Sequence, residues 1–399
     1  MSTAETPPGT AGRATAETDA PYWLALLIGI LLVTPVGVPP APVLAVMLVL
    51  VPLLGVSLRW HVRPAVVLTL LAAGIALRVL LFGTGFSGVL ATTSAAIDRV
   101  LAGGNPYGIG YQIPEAPGQP FPYGPLALLW YLPFRAEPRT LEMAVSLAIL
   151  AVLALRGRPI GLAIYALAPW LISLSSDGSN DTSAGLFLLV ALLAAQRLAV
   201  PGGFLLAVAT AFKPHAAAWL PALAWFTGLP GLAGFVAGSF LFWVPVLLVW
   251  GLGSVLASLR LANEIHQTPF YSLAAAVEGL TGRRVSPEPF DRLRLVLGAL
   301  TAAVTTPFVR SGRAMVLAGT LVFLATLYAA YWSTFAYFAA LAPVLCWHLD
   351  DWLGLGDRRV RWPGDPVGRM TEAIDRRWPL IETKAQRSRG ATAVTRTTD

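Results

Sequence analysis

The sequence predicts an all-α fold: a polytopic integral membrane protein with about 12 transmembrane helices and a shaped first outer loop. Three observations carry that prediction. Hydrophobic residues make up 56% of the 399-residue chain and charged residues 12%, with a mean hydropathy of +0.67. Soluble domains carry about 25% charged residues, so a soluble globular class is excluded. Apolar runs close to the ~20 residues of a membrane span recur along most of the chain. The basic residues sit in short loops between those runs and in a C-terminal tail, so the net charge of +7 suits orientation in a bilayer and anionic headgroups. No basic patch points to nucleic acid. The lone cysteine, Cys346, excludes an intramolecular disulfide and a cysteine-based zinc site.

The N-terminal 1–20 are rich in Thr, Ala, Pro and Gly and read as disordered. The transmembrane domain then covers 21–356, and 357–399 form a basic cytoplasmic tail that starts with an interfacial helix. The run 22–38 lacks a basic flank and a cleavage site, so it reads as a retained span. Further spans are expected at 42–58, 65–83, 139–155, 159–176, 181–197, 231–251, 290–309, 313–331 and 333–349. Lys213-Pro214-His215 breaks the run 202–228 into one kinked span or two half-helices, 202–213 and 215–228. No internal repeat is visible.

Sidedness follows from the arginines. Arg59 to Arg63, Arg156, Arg158, Arg197, Arg310, Arg313 and the tail should be cytoplasmic. These assignments agree only if 124–134, too short to cross, forms a re-entrant or interfacial helix, and if 202–228 goes out and back. Twelve passes result, with both termini cytoplasmic. Four polar features then share the outer face: the loop 84–138, the SSDGSND motif at 175–181, the Lys213 turn and the loop 252–289.

The loop 84–138 contains GGNPYG at 103–108 and a proline-rich stretch over 114–125. Proline fixes φ and biases its predecessor toward extended backbone. Such a loop has a restricted shape without needing a core of its own, and suits the roof of a site for a lipid-linked or polar substrate. Asn105, Tyr107, Tyr111, Gln119 and Tyr123 offer amides and hydroxyls suited to a sugar, although tyrosines also populate interfacial belts. Asp98 lies in an amphipathic interfacial helix, either as a substrate ligand or in a surface pair with Arg99.

Asp177 and Asp181 bracket Gly178, Ser179 and Asn180 before an apolar run. Carboxylates at membrane depth are costly and usually functional. A spacing of four places both on one face of a helix, one as base and the other holding a sugar hydroxyl; the alternative is ordinary N-capping. Lys213 is one of two lysines and sits in an apolar setting. It would neutralise a phosphate as a compact charge, with His215 donating to the same group, or it snorkels to the interface. Glu264 and His266 lie in the second outer loop as candidate substrate-binding residues, against the ordinary reading of a solvated loop. Trp332, Ser333 and Tyr337 read as belt and packing residues, and His348, Asp350 and Asp351 as structural residues at the inner end of the last span. No phosphate-binding glycine loop, HExxH or GxSxG is present. The chain calls for no metal and no cofactor.

An interfacial helix, GGNPYG, FPYGPLALLWYLP, an acid motif before a span and a later Lys-Pro break together resemble the GT-C superfamily of membrane glycosyltransferases. Within it the chain is similar to glycosyltransferase family 87 and polyprenyl-phosphate mannosyltransferase-like proteins, over roughly 65–350. The resemblance implies an enzyme that moves a sugar, mannose first, from a polyprenyl-phosphate sugar donor to a lipid or glycan acceptor at the outer membrane face. It implies an acid as the base for inverting transfer (Asp177, Asp181 or Asp98) and a positive group, Lys213 with His215, for the donor phosphate. One departure stands out. The family pattern places an Asp early in the first outer loop, in a Ser-Asp-Val setting, where this chain has Ser87-Gly88-Val89. Two other classes fit the same span count: a secondary transporter or lipid flippase, and a catalytically inactive relative.

Overall fold

In a computed structural model the chain is described over 64–381, apart from 84–86, 115, 176, 266–270, 335, 354–359, 361 and 363–365. The expected spans 22–38 and 42–58 and the segment 1–20 lie outside the described residues. The described chain is mostly helical. In order it forms α1 (Pro64–Leu80), α2 (Gly88–Leu101), a hairpin of β1 (Gly110–Ile113) and β2 (Ala116–Pro120), α3 (Pro125–Tyr131), α4 (Arg139–Arg156), α5 (Pro159–Leu167), α6 (Pro169–Leu174), α7 (Asp181–Ala195) and α8 (Ala199–Phe212). Then follow α9 (Leu220–Thr227), α10 (Leu229–Ile265), α11 (Leu273–Thr281), α12 (Pro287–Thr305), α13 (Gly312–Ala329), α14 (Ala336–Ala339), α15 (Ala342–Trp352) and α16 (Pro366–Arg377). Short 3-10 turns extend α3 and α12 and bridge α8 to α9.

Among the described residues two helices are long and apolar enough to cross a membrane, α10 and α13. A third joins them if α3 with its 3-10 turn and α4, bent by 100° at their junction, are counted together. That bend is the break expected between 124–134 and the run at 139. α1, α7 and α8 are apolar but shorter.

Proline sets several boundaries. It opens α3, α5 and α12 at the first helical position, where a missing N–H costs nothing. The run 159–176, expected as one span, is two helices. Pro169 forces Ala168 into extended backbone at φ −66°, ψ 118° and the axis breaks there. The run 333–349 likewise divides into α14 and α15. Pro214 imposes extended backbone on Lys213, φ −141°, ψ 112°, so 202–228 becomes half-helices. Gly251, at φ 79°, ψ 148°, interrupts α10 where the span 231–251 was expected to end. Beyond it, the expected loop 252–289 is largely helical, containing the second arm of α10 and all of α11. The proline-rich loop also contains secondary structure, since β1 and β2 pair antiparallel with an irregularity between Tyr111 and Gln112.

Three large apolar clusters hold most of these helices, and a small fourth joins α11 to α12 through Ala274, Phe290 and Tyr331. One surrounds Trp219, Phe323 and Met315 between α7, α8, α9 and α13. Trp219 donates Nε1–H to the Val316 carbonyl at 3.2 Å, and Gly319 leaves room for its indole. A second cluster joins α1, α4, α5 and α15 around Ile149 and Leu162. The third packs α2, the hairpin and α3 on Phe212 through Tyr107, Phe121 and Tyr131. Arg78 is fully buried in α1. Its guanidinium donates to the Ser146 hydroxyl at 2.6 Å and to the Tyr165 and Ala166 carbonyls at 2.7 and 3.1 Å, tying α1 to α4 and α5.

α8 meets α10 through glycines, whose missing side chains let the two backbones approach closely. A Cβ at Gly203 would enter the Gly231 carbonyl, and one at Gly234 the Val200 carbonyl. At Gly238 it would stand 2.8 Å from Ala207 Cβ. Gly234→Leu should therefore cost about 1–3 kcal/mol, the usual range for overpacking. Gly253→Ala, with no atom within 4 Å of the added carbon, should be close to neutral. Reversible unfolding in mixed detergent micelles measures both.

Candidate substrate site beneath the hairpin loop

The site begins where α6 ends. Residues 177–180 form a turn, with Gly178 at φ 98°, where an L side chain is strained. Asp177 therefore precedes the helix and does not share a helical face with Asp181, which corrects the expectation from their spacing. Its Oδ1 accepts the Ser179 N–H at 2.8 Å, closing an Asx turn. Asn180 is the N-cap residue of α7, but its side chain makes no capping bond. Its Oδ1 instead accepts from Lys213 Nζ at 2.8 Å, and its buried Nδ2 has no hydrogen-bond partner.

Lys213 and Asp181 form an ion pair at 2.5 Å, with side chains 5% and 2% exposed. The extended backbone before Pro214 turns this lysine off the end of α8 and toward the start of α7. Two aromatic faces enclose the ammonium: Tyr337 with its centroid at 5.0 Å and Tyr123 at 5.6 Å. Tyr337 thus lines the site as well as packing there. It also contacts His215 edge to face at 5.6 Å, and Phe323 contacts the same imidazole at 5.1 Å. His215 lies beside the pair, held by rings.

Tyr123 is positioned by backbone. The Gly124 N–H donates to the Phe212 carbonyl at 3.2 Å, and a Cβ at 124 would run into the Ala211 carbonyl. The hairpin loop is thereby fastened to the last turn of α8, beside Lys213. Tyr107 donates its hydroxyl to the Tyr123 carbonyl at 3.2 Å and packs on Phe121 and Trp250. Asn105 accepts the Tyr107 N–H at 2.9 Å and donates to Ser254 Oγ at 2.9 Å. Gly108 donates to Ser258 Oγ at 2.8 Å. Asn105 and Tyr107 are therefore engaged in shaping the loop and docking it on α10. The start of α2 is also joined to the acid turn, through Ser87 N–H to the Asp177 carbonyl at 2.6 Å and Leu90 N–H to the Gly178 carbonyl at 2.9 Å.

Other expected residues lie elsewhere. Asp98 sits on the exposed face of α2 and pairs with Arg135 at 3.2 Å, both at least half exposed. Its partner is not Arg99, which donates to the Asn105 carbonyl at 2.6 Å. Amphipathic packing of α2 turns this carboxylate away from Lys213. Glu264 is exposed on the far arm of α10, and His266 lies outside the described residues. At Gly88, a Cβ would collide with the Gln119 side-chain oxygen and stand 2.7 Å from Ala116 Cβ. The hairpin occupies the space that a carboxylate at 88 would need.

One acid was not singled out by its sequence pattern. Glu142, 1% exposed, accepts the Tyr131 hydroxyl at 2.5 Å and the Ser183 N–H at 3.1 Å, together with the Ser183 hydroxyl. Trp130 donates to Ser183 Oγ at 3.0 Å. This carboxylate joins α3, α4 and the first turn of α7, and so holds Asp181 in place from behind. An ionisable residue inside an apolar run is the signal that marks it.

Asp177 is the less enclosed acid of the motif. Burial pushes its carboxyl above the usual range, against the Ser179 hydrogen bonds and the Arg139 charge, which pull it back. Among the described residues no three His, Cys, Asp or Glu side chains gather as a metal-binding group. Comparison with protein-family models, curated proteins and solved structures finds no match.

Removing one member of a buried pair strands the other. Lys213→Ala should cost about 3–5 kcal/mol, whereas Lys213→Met combined with Asp181→Leu should recover most of that loss. Unfolding midpoints of the two variants against wild type measure the difference.

Proposed function

We propose that this protein is a membrane glycosyltransferase that takes a sugar, mannose first, from a polyprenyl-phosphate sugar and transfers it to a lipid or glycan acceptor at the outer membrane face. The observation that carries the reading is the enclosed Lys213 ammonium, under two tyrosine rings and a docked polar loop. Two of its three hydrogens are engaged, by Asn180 and Asp181. The third, together with the unpartnered Asn180 Nδ2–H, is available for a phosphate oxygen. Aromatic faces and hydroxyls around an anion-binding centre suit a sugar phosphate.

In this reading the chain crosses the membrane about 12 times, with both termini cytoplasmic. The position of the arginines supports it. α4 starts beside the site at Arg139 and ends about 27 Å away at Arg156. α7 runs from Asp181 toward Arg197. Arg156, Arg158 and Arg313 gather at the end away from the acid turn, as the positive-inside rule favours if the site faces outward, while Arg139 stands at the acid turn itself.

The chemistry needs a base, a positioned acceptor and charge stabilisation at the leaving group. Asp177 takes the proton from the acceptor hydroxyl as that oxygen attacks the anomeric carbon. The bond from that carbon to the phosphate oxygen breaks, and the polyprenyl phosphate leaves with its charge against Lys213 and Asn180. Asp181 keeps the lysine aimed. Asp98, paired at the surface, takes no part.

Transfer from labelled polyprenyl-phosphate mannose in membranes tests this. Asp177→Asn should lower the rate at least 100-fold, consistent with loss of a general base, and Lys213→Ala should abolish transfer. Activity unchanged in both, or uptake into vesicles without covalent product, overturns the proposal. The rate should also depend on pH in a stated direction. The base acts as a carboxylate, and burial raises its pKa above 3.8. Activity is therefore lost as pH falls through a limb set above that value, and pH–rate profiles locate the limb.

A further inference from the structure

The opposite end of the bundle holds a second concentration of charge. Arg156 Nη2 meets Asp351 Oδ2 at 2.8 Å, Arg158 pairs with the same carboxylate, and Arg313 stands 3.9 Å from its Oδ1. The neighbouring acid, Asp350, accepts the Ile160 and Gly161 N–H groups at 3.3 and 2.9 Å and lies within electrostatic reach of Arg156 and Arg158. Three guanidiniums thus stand against two adjacent carboxylates. The Arg156 guanidinium lies over the Trp347 ring at 3.9 Å, which fixes its plane.

Around these arginines lie polar atoms that are buried and have no hydrogen-bond partner. They include Arg156 Nη1, both ring nitrogens of His348, Trp352 Nε1 and Gln196 Nε2. His348 is 3% exposed and stacks on Trp352 at 5.6 Å. His348, Asp351 and Trp352 are spaced three and four apart on α15, which puts them on one face. That face meets the arginines, for His348 is within electrostatic range of Arg156, Arg313 and Arg158. Gln196 packs against Gly312, next to Arg313.

A buried polar group without a partner is costly, and such groups are few in folded proteins. Here several converge, and most can only donate, since amide, indole and guanidinium nitrogens carry hydrogens and no usable lone pair. What they lack is an acceptor, and three arginines against two carboxylates favour a negative charge on it. Planar guanidinium forks match the oxygens of a phosphate. Arg313 is half-exposed, which gives the group a way in.

We propose that Arg156, Arg158 and Arg313, with His348, Trp352 and Gln196, bind a phosphate group at the end of the bundle away from Lys213. The same oxygens are carried by an anionic phospholipid headgroup and by soluble phosphate. The site is independent of the transferase reading.

The test uses the full chain in neutral detergent, with thermal unfolding as the readout. Two probes are compared: mixed micelles containing phosphatidylglycerol against phosphatidylcholine, and inorganic phosphate against chloride at equal ionic strength. One probe should raise the melting temperature. The Arg158→Gln and Arg313→Gln pair should weaken that probe's apparent affinity at least fivefold, while Arg283→Gln, far along the chain in an exposed position, should leave it unchanged. A response to phosphatidylglycerol alone identifies a lipid headgroup, and a response to inorganic phosphate identifies a soluble ligand. If the arginine pair does not fold, Trp352→Phe keeps the stacked ring, removes the indole donor and should weaken binding at least twofold. Absence of a response to either probe, or an equal response in wild type and variants, overturns the proposal.

Discussion

The bundle is organised around a charge that has to be enclosed. Lys213 enters an apolar region because Pro214 ends α8 and turns the preceding residue outward from its helical path. A lone ammonium there would be far too costly. It persists because Asp181 and Asn180, at the first turn of another helix, meet it at hydrogen-bond distance. Each further layer follows from keeping that pair in place. Glu142 braces the start of α7, Tyr123 and Tyr337 close over the ammonium, and the hairpin loop is docked by backbone on α8. Such a pair contributes little net stability over an apolar substitute. Its value lies in holding a cation of fixed position close to a polar loop.

Much of the helical layout is legible in the apolar runs, because helices buried in protein or lipid are apolar all round and need no periodicity to be seen. The runs at 65–83, 181–197 and 202–213 correspond to α1, α7 and α8 with small shifts at their ends. The break at Lys213 is readable because proline acts locally on the residue before it. The same rule, applied to Pro169, would have divided 159–176. The hairpin is less visible, since its pairing joins residues whose prolines suggest irregular backbone, and the register contains an irregularity.

The site is legible in part. Asp181, Asn180, Lys213 and Tyr123 meet, and each is a polar residue bordering an apolar run. Asp98 does not join them: helix α2 is amphipathic as expected, but nothing local says which way its polar stripe faces. Glu142 and Arg78 are single charges inside apolar runs, and each has partners distant in sequence: Ser183 is 41 residues from Glu142, and Ser146 is 68 from Arg78. The depth of a charge can be read from its neighbours in sequence, whereas its counterpart depends on how the helices pack.

The interruption at Gly251 has a mechanical meaning. Ser254 and Ser258, which grip Asn105 and Gly108, belong to the arm beyond that glycine and not to the stretch packed on α8. One edge of the polar loop, at Asn105 and Gly108, is consequently hung from a short lever whose pivot lacks a side chain. The opposite edge, at Tyr123, stays fastened to α8 through Gly124. Torsion at this one joint would act on the first edge while the second, and the glycine-lined seam between the two helices, stayed closed.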